Sequence, residues 1–258
     1  MSSPAAQARR ATMAAPGAAY GVAMTQDDMM ASDTCVVVDE SDAVVGSGSK
    51  RACHVFDPAS PTPTGILHRA FSVFLFNGRG ELLLQQRALS KVTFPGVWTN
   101  TCCSHPLHGY TPTEVDGPEE VAAGTAPGIR RAAVRKLTHE LGMDPAEAGA
   151  LTFRFVTRLH YCAADAGTAW GEHEIDYILL CRADVAALDP NLDEVEGVRY
   201  VSRAELAAMM DRGSGHAWSP WFRIIAREFL PTWWDDLDGA LAGRMDDLGR
   251  IHRLAAPP

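Results

Sequence analysis

The chain has 258 residues, a formal net charge of −9 and 47% hydrophobic residues. This composition is typical of globular proteins and excludes a disordered, fibrous or membrane-spanning chain, since no apolar run approaches the roughly 18 residues that cross a bilayer. The acidic balance argues against broad electrostatic binding to nucleic acid, although a small anionic ligand needs only a few local cations.

The N-terminal residues have a composition of their own. The first 26 residues contain no Asp or Glu, carry Arg9 and Arg10, and are rich in Ala, Ser and Thr. We expect residues 1–33 to be an extension outside the fold. It is either a transit peptide for a plastid or another organelle, or a disordered tail on a cytoplasmic protein. Six cysteines without a CxxC pair, and no secretory segment, favour reduced thiols.

Residues 35 to 113 alternate between β-like runs and loops. The apolar run 35–39 predicts a strand, and the Pro-rich residues 58–65 predict a loop. Residues 68–76 and 81–87 predict two strands of a hairpin joined by the turn Asn77-Gly78-Arg79-Gly80. Residues 93–113 contain several Pro and Gly residues and predict an irregular segment.

The second half of the chain adds helices. Apolar spacing predicts a helix over 129–141 that ends at Gly142. Further predicted elements are strands at 151–161, 172–181 and 195–201, and helices at 202–210 and 218–234. This order lacks strict βαβ alternation, so we predict a single α+β domain over residues 34–235, followed by a charged C-terminal tail at 236–258.

Five residues could together bind a metal ion. His54, His68 and His105 lie in separate segments, whereas Glu172 and Glu174 are two apart on a predicted strand and share one face. Three imidazoles and two carboxylates suit a five- or six-coordinate divalent ion such as Mn²⁺, Mg²⁺ or Zn²⁺. Taken singly, each His is more often a surface or core residue, and spacing alone does not show that the segments converge.

A second group of residues suits proton transfer and anion binding. The segment Thr99-Asn100-Thr101-Cys102-Cys103-Ser104-His105-Pro106 places thiols beside an imidazole, although a cysteine is often only a small buried apolar residue. The basic residues Lys50, Arg87 and Lys91 could bind a diphosphate, or could be solvated surface residues.

The predicted helix carries a partial Nudix motif. The segment RKLTHELGM at 135–143 resembles the REUxEExGU core of the Nudix box, in which a helix presents carboxylates to Mg²⁺ and a diphosphate. Lys136 and His139 replace acidic positions, Glu140 remains, and the upstream GxxxxxE element is absent. A hydrolase needs several carboxylates here, so the sequence is similar to the Nudix scaffold without the metal cluster of the hydrolases.

Several longer blocks carry a more specific resemblance. They are HRAFSVFLFN at 68–77, LLLQQRALSKVTFPGVWTNTCCSHPL at 82–107, RLHYCA at 158–163, WGEHEIDYILL at 170–180 and SPWF at 219–222. Together they resemble the type I isopentenyl-diphosphate delta-isomerases, a Nudix-fold family. The resemblance implies one catalytic domain, with a mixed β-sheet sandwiched between helices.

The resemblance also implies a reaction and its acid–base residues. These isomerases convert isopentenyl diphosphate to dimethylallyl diphosphate in isoprenoid biosynthesis by an antarafacial 1,3-proton shift. By resemblance, Cys103 and Glu174 are the acid–base pair, Tyr161 assists the glutamate, and Trp221 stabilises the developing cation through its π face. Which of Cys103 and Glu174 donates the proton in the forward direction stays open.

The ligands implied by the resemblance are two metal ions and a diphosphate. His54, His68, His105, Glu172 and Glu174 match the site of a protein-bound Zn²⁺, Mn²⁺ or Mg²⁺. Glu140, with the backbone carbonyl of Cys103, matches the site of the Mg²⁺ that arrives with the substrate. The matching diphosphate contacts are Lys50, Arg87, Lys91, Ser104 and Lys136. No dinucleotide or flavin motif is present in the sequence, so we expect no redox cofactor.

Two other functions stay open at this point. One is a Nudix hydrolase of a nucleoside diphosphate derivative, and the other is a non-catalytic metal-binding protein on the same scaffold. The expected partner is a small allylic or homoallylic diphosphate, with no nucleic acid or membrane, and the resemblance favours a monomer.

Overall fold

The computed structural model describes residues 24–57, 59 and 64–255. Within these residues ten strands form one sheet. The strands are β1 (Thr34–Val38), β2 (Val44–Ser49), β3 (His68–Phe76), β4 (Leu82–Arg87), β5 (Trp98–Thr99), β6 (Cys102–Ser104), β7 (Arg154–Ala164), β8 (Gly171–Arg182), β9 (Val195–Val201) and β10 (Asp247–Arg253). The helices are α1 (Gln26–Ser32), α2 (Lys50–His54), α3 (Pro118–Ala122), α4 (Pro127–Leu141), α5 (Pro145–Ala150), α6 (Arg203–Met210), α7 (Pro220–Glu228), α8 (Leu230–Asp235) and α9 (Leu237–Leu241).

Strand β3 lies at the centre of the sheet. It runs parallel to β8 and antiparallel to β1, β4 and β6, and one path through the sheet is β10-β7-β8-β3-β1-β2. A second branch leaves β3 through β4, which pairs with β5 and β9. All nine residues of β3 are buried, as expected for a strand that is covered on both faces.

Each face of the sheet packs against its own layer of helices. One apolar cluster contains Phe71 and Val73 of β3 with Leu137 of α4. The other contains Phe74 of β3 with Phe222 of α7 and Trp233 of α8. Successive residues of a strand point to opposite faces, so β3 contributes alternate side chains to the two clusters. The predicted α+β fold, a mixed sheet between helices, is therefore confirmed.

The strongest sequence patterns fall on the observed elements. Helix α4 covers the predicted 129–141 and ends at Gly142, whose φ of 61° is the left-handed conformation that glycine adopts most readily. The predicted strands at 68–76 and 195–201 coincide with β3 and β9.

Two predicted elements differ in detail. The hairpin of β3 and β4 is paired at Phe76 and Leu82, after which β4 runs along β9 over six residue pairs. The single helix predicted over 218–234 is divided into α7 and α8, with Phe229 between them at φ −126°. Pro231 has no N–H for a helical hydrogen bond, so the helix restarts there instead of continuing.

The predicted boundaries at both ends also differ from the structure. Residues 236–258 were predicted as a tail, but α9 lies in this range and β10 pairs in parallel with β7. Residues 1–33 were predicted outside the fold, but α1 buries Met29 and Met30. The rest of that prediction, residues 1–23, lies outside the described residues, as do 58, 60–63 and 256–258. None of the described helices is long and apolar enough to cross a membrane.

Candidate active site

One cavity collects most of the predicted site residues. It lies where α2 and the loop after β4 meet the ends of β3, β6, β7 and β8. The predicted residues on its wall are Lys50, His54, Arg87, Lys91, Cys103, Ser104, His105, Glu140, Tyr161, Glu172, Glu174 and Trp221. His68 and Lys136 are buried outside this wall.

Helix α2 supplies two of these residues from one face. The Ser49 hydroxyl accepts a hydrogen bond from the Ala52 N–H and begins the helix. Lys50 and His54 are one helical turn apart, so both side chains reach the cavity. A five-residue helix is too short to be stable alone, and its packing against the protein must hold this geometry.

Three buried imidazoles, two on the cavity wall and His68 beside them, lie close together. The ring centroids of His54, His68 and His105 are 4.8 to 4.9 Å apart. His54 Nδ1 lies 2.6 Å from the Lys50 carbonyl oxygen, and His68 Nδ1 lies 2.8 Å from the Ile66 carbonyl oxygen. A carbonyl only accepts hydrogen bonds, so each Nδ1 carries the hydrogen. In the neutral form of either ring, which a metal ligand must have, Nε2 is then the nitrogen with the lone pair.

Glu172 and Glu174 complete this cluster. Glu174 Oε1 is 2.8 Å from His105 Nε2 and 3.6 Å from His68 Nε2. His54 Nε2 and Glu172 Oε2 are 2.8 Å apart, yet neither atom has a hydrogen-bond partner among the described residues. The ligand atoms of all five residues lie within 4.8 Å of one another. Unpartnered buried nitrogen and oxygen atoms that converge on one point fit a divalent metal ion.

The charges of this cluster are coupled. Burial alone would lower the pKa of His68, but the Glu174 carboxylate raises that pKa to about 9. Burial and the two neighbouring imidazoles lower the pKa of His105 well below its usual value. Burial opposes ionisation of Glu174, but its hydrogen bond to His68 and the charge of His68 keep its pKa below the ordinary value.

Adjacent thiols on β6 point to opposite faces of the sheet. Cys102 Sγ lies 3.5 Å from Glu140 Oε2 on the α4 side, whereas Cys103 lines the cavity. Burial raises the pKa of Cys103 to about 12, although the Arg87 guanidinium, whose Nη1 lies 3.9 Å from Sγ, opposes this rise. Cys103 is therefore a protonated thiol at neutral pH.

A phenol and a carboxylate form a second proton-handling group. Tyr161 on β7 is directly opposite Glu174 on β8, and the Tyr161 hydroxyl donates to Glu174 Oε2 at 2.5 Å. Burial and the adjacent Glu174 raise the pKa of Tyr161 well above its usual value. The phenol therefore stays a hydrogen-bond donor to the carboxylate at neutral pH.

Trp221 forms an aromatic wall of the cavity. Its indole Nε1–H donates to Asn100 Oδ1 at 3.1 Å, which fixes the orientation of the ring. The Phe94 ring packs edge-on at 5.7 Å between centroids, and the Arg87 guanidinium lies 5.5 Å from the indole centroid. Aromatic faces carry negative charge density that attracts cations.

A buried carboxylate organises the basic residues. Lys91 Nζ lies 2.5 Å from Glu194 Oε2, and Lys136 Nζ lies 3.7 Å from Glu194 Oε1. Lys136 was predicted to contact the diphosphate. However, it is 1% exposed, and its ammonium lies 3.1 Å from Glu140 Oε1. The structure thus places Lys136 behind Glu140, where the lysine neutralises buried carboxylates.

Sequence reasoning missed several residues that shape the site. Asn100, Glu194 and Asp176 are buried, and Ser72 donates to Asp176 Oδ2 at 2.8 Å on the cavity wall. Gln26 and Met30 of α1 also line the cavity, although they fall in the predicted extension. Asp176 follows Glu174 by two residues, so the alternation of β8 could have identified it.

Comparison with known proteins agrees with this geometry. A NUDIX domain family model matches residues 66–222. An isopentenyl-diphosphate delta-isomerase of Gibberella zeae is 48% identical over 209 residues, which are 81% of this chain and 78% of that protein. An isopentenyl-diphosphate delta-isomerase II of Clarkia breweri is 43% identical over 238 residues, or 91% and 79% of the two chains. A chloroplastic isopentenyl-diphosphate delta-isomerase II of Arabidopsis thaliana is 43% identical over 238 residues, or 91% and 80%.

Proposed function

Since the chain belongs to the Nudix-fold family of isopentenyl-diphosphate delta-isomerases, we propose that it interconverts isopentenyl diphosphate and dimethylallyl diphosphate for isoprenoid biosynthesis. The observation that carries this proposal is the chemistry of one cavity. The protonated thiol of Cys103 lines the cavity, and so does the carboxylate of Glu174, which accepts a hydrogen bond from the Tyr161 phenol. A proton shift across an allylic system needs two such groups.

The proposed reaction moves one proton onto the substrate and another off it. One group protonates the terminal alkene carbon, which forms a C–H bond there and leaves a tertiary cation. The other group accepts a proton from the carbon beside the cation, and the electrons of that C–H bond form the new double bond. Cys103 and Glu174 fill these two roles, and Tyr161 moves protons to and from Glu174.

The proposed intermediate needs protection from water. A tertiary cation beside water is trapped as an alcohol, so the wall around the alkene must exclude water. Trp221 is 2% exposed and packs on Phe94 and Tyr161. We assign its π face to stabilising the cation, which cation–π attraction supports by about 0.5–2 kcal/mol.

We propose two divalent ions as cofactors. His54, His68, His105, Glu172 and Glu174 would hold one Zn²⁺, Mn²⁺ or Mg²⁺. Glu140, with the backbone carbonyl of Cys103, would hold the Mg²⁺ that accompanies the diphosphate. When bound, such ions supply positive charge, which neutralises the carboxylates and the diphosphate. No redox cofactor takes part in this proton shift.

The diphosphate would bind to cations and donors at the cavity mouth. Lys50, Arg87, Lys91 and Ser104 line the cavity, whereas Lys136 would act indirectly from behind Glu140. The Arg87 guanidinium already donates to the Thr93 carbonyl at 2.7 Å and the Phe94 carbonyl at 3.0 Å. These bonds fix its plane before the ligand arrives, which lowers the entropic cost of binding.

The deciding experiment is isomerisation in deuterated water with purified full-length protein. We expect deuterium to enter the methyl group formed from the terminal alkene carbon, with no release of phosphate. Cys103→Ala or Glu174→Gln should lower the rate by about 10²–10⁴-fold or more, the usual contribution of a general acid or base. Cys162→Ser, whose thiol lies 3.7 Å from Thr64 Oγ1 outside the cavity wall, is the control.

The same assay tests the competing functions. Release of phosphate or of a nucleoside monophosphate would favour a Nudix hydrolase. Absence of both isomerisation and hydrolysis would favour a metal-binding protein without catalysis. The Lys136–Glu140 ion pair argues against the hydrolase, because Lys136 occupies an acidic position of the Nudix motif and neutralises Glu140.

For the compartment we propose a plastid or another organelle, with the cytoplasm as the alternative. The acid-free N-terminal composition supports an organelle, and the Arabidopsis thaliana relative carries the name chloroplastic. Fusion of residues 1–33 to a fluorescent protein tests this proposal, because an organelle signal should redirect the fusion. For the assembly we propose a monomer, and light scattering of the purified chain tests it.

A further inference from the structure

Strands β7 and β8 carry residues of the proposed active site on one face, and a second group of imidazoles lies on their opposite face. Tyr161 and Glu174 point toward α7, so the alternation of β7 and β8 directs His160 and His173 to the opposite face. His160 is opposite Ile175, and His173 is opposite Cys162. Both imidazoles are partly exposed, so solvent reaches them.

The two rings face each other through one nitrogen each. His160 Nε2 and His173 Nε2 are 3.0 Å apart, and the rings are inclined by only 21° with centroids 5.2 Å apart. His173 Nδ1 lies 2.8 Å from the Gly65 carbonyl oxygen, so Nδ1 carries the hydrogen. His173 Nε2 therefore directs a lone pair at His160.

The hydrogen bonding of His173 matches that of an imidazole metal ligand, whereas His160 Nδ1 is buried and has no partner among the described residues. Metal-binding histidines commonly donate their other N–H to a backbone carbonyl, as His173 does to Gly65. Two nitrogens at about 2.0–2.1 Å from one metal ion are about 3 Å apart when the angle at the ion is close to 90°, as in the square-planar or tetragonal sites of Cu²⁺ and Ni²⁺. The observed separation of 3.0 Å is near that value.

We propose that His160 and His173 bind one divalent transition-metal ion through their Nε2 atoms, at a site separate from the buried cluster. Imidazole nitrogens favour Zn²⁺, Cu²⁺ and Ni²⁺ over Mg²⁺, so the ligand is an ion of this class, with water in the remaining coordination positions. Bound there, the ion cross-links β7 and β8 at the level where Tyr161 pairs with Glu174.

The electrostatic surroundings of His160 suit this role. Burial and the neighbouring His173 lower the pKa of His160, so its imidazole is neutral at neutral pH, as a ligand must be. Arg253 would repel a cation, but its guanidinium lies 2.6 Å from Glu40 Oε2 and also donates to the Glu40 carbonyl oxygen. Glu40 thus offsets the positive charge of Arg253 that acts on His160.

Calorimetric titration of the full chain with Zn²⁺ tests the proposal. The variants are His160→Ala, His160→Gln and the control His108→Ala, which changes an exposed histidine elsewhere. We expect the wild-type chain and the control to bind one more equivalent of Zn²⁺ than either His160 variant. We also expect the His160 variants to keep their isomerisation rate, which separates this site from the buried cluster.

A spectroscopic measurement identifies the ligands. With Cu²⁺ as the probe, electron paramagnetic resonance of the wild-type chain should show hyperfine coupling to two imidazole nitrogens, and the His160 variants should lose this signal. Equal Zn²⁺ stoichiometry in the wild type and in folded His160→Gln would overturn the proposal. In that case His160 and His173 form a hydrogen-bonded pair only.

Discussion

At the scale of single residues, Cys102 and Cys103 show how position decides chemistry. They are neighbours in the chain, but the alternation of β6 sends one thiol toward Glu140 and the other into the cavity. Burial raises the pKa of both thiols. The Lys136 ammonium opposes the rise at Cys102, and the Arg87 guanidinium opposes it at Cys103. Both thiols therefore stay protonated at neutral pH.

The titration of Cys103 can be measured by alkylation. We expect its rate of reaction with iodoacetamide, followed by peptide mass spectrometry, to rise through about pH 10 without a plateau, because its folded pKa is about 12. A plateau at about pH 10, as expected for an ordinary thiol whose midpoint is about 8.5, would contradict the shift. The raised pKa stabilises the fold below about pH 9, and this contribution is lost as the pH rises toward about 12.

Glu194 provides a second prediction at this scale. Its carboxylate is 2% exposed and balances Lys91 and Lys136. Glu194→Gln should lower the free energy of unfolding by about 3–5 kcal/mol, the usual cost of leaving a buried charge unpaired. It should also raise the KM for the diphosphate more than it lowers kcat, because Lys91 loses its position.

Urea denaturation and steady-state kinetics measure these two effects. Asp193→Asn is the matched control, since this neighbouring carboxylate is exposed. Equal stability of Glu194→Gln and the wild type would show that Glu194 does not hold the two lysines.

At the scale of elements, Asn100 connects β6 to α7. Its amide nitrogen donates to the Val73 and Cys102 carbonyl oxygens at 3.1 and 2.8 Å, and its oxygen accepts from Trp221. The position of the aromatic wall and the position of the Cys102–Cys103 strand thus depend on one side chain.

Asn100→Ala should therefore weaken both the fold and the site. We expect the free energy of unfolding to fall by about 1–3 kcal/mol, because buried polar groups lose their partners. A double-mutant cycle with Trp221→Phe should give an interaction energy of about 0.5–3 kcal/mol in urea denaturation. Additive effects of the two substitutions would show that Asn100 does not orient the indole.

The apolar pattern of each element decides whether it could be predicted from the sequence. Helix α4 and strand β3 have long apolar patterns, so both elements could be predicted from the sequence. Strand β2 (VVGSGS), the five-residue α2 and strand β10 have no such pattern and form through contacts with the rest of the fold.

The candidate site follows the same logic. Spacing predicted that Glu172 and Glu174 share a face, but it could not bring His54, His68 and His105 together. The resemblance of longer blocks supplied that link. Asn100 and Glu194 were missed because buried polar residues that act through others leave no periodic signal.

At the scale of the whole molecule, β10 completes the edge of the sheet. It pairs in parallel with β7. The Arg158 side chain of β7 donates a hydrogen bond to the Leu248 carbonyl oxygen, and the Thr157 hydroxyl donates one to the Asp247 carbonyl oxygen. Without β10, the unpaired backbone groups of β7 would form an exposed edge, which favours association with other chains.

Truncation tests this contribution. A chain that ends at Leu241 should show a Tm lower by several degrees, since each kcal/mol lost shifts Tm by about 2–4 °C at this size. It should also aggregate in light-scattering measurements. A chain that ends at residue 255 keeps β10 and is the control. Unchanged Tm in the shorter chain would show that β10 adds no stability.

The short helix α2 has a consequence for how ligands cooperate. Lys50 and His54 extend from one turn of this helix, so the proposed metal ion and the proposed diphosphate would hold the same five residues in place. The first ligand to bind reduces the conformational entropy of the helix, so the second ligand binds to a helix that is already ordered and loses less entropy. Thermodynamic reciprocity then requires that the metal tighten the diphosphate by the same factor by which the diphosphate tightens the metal.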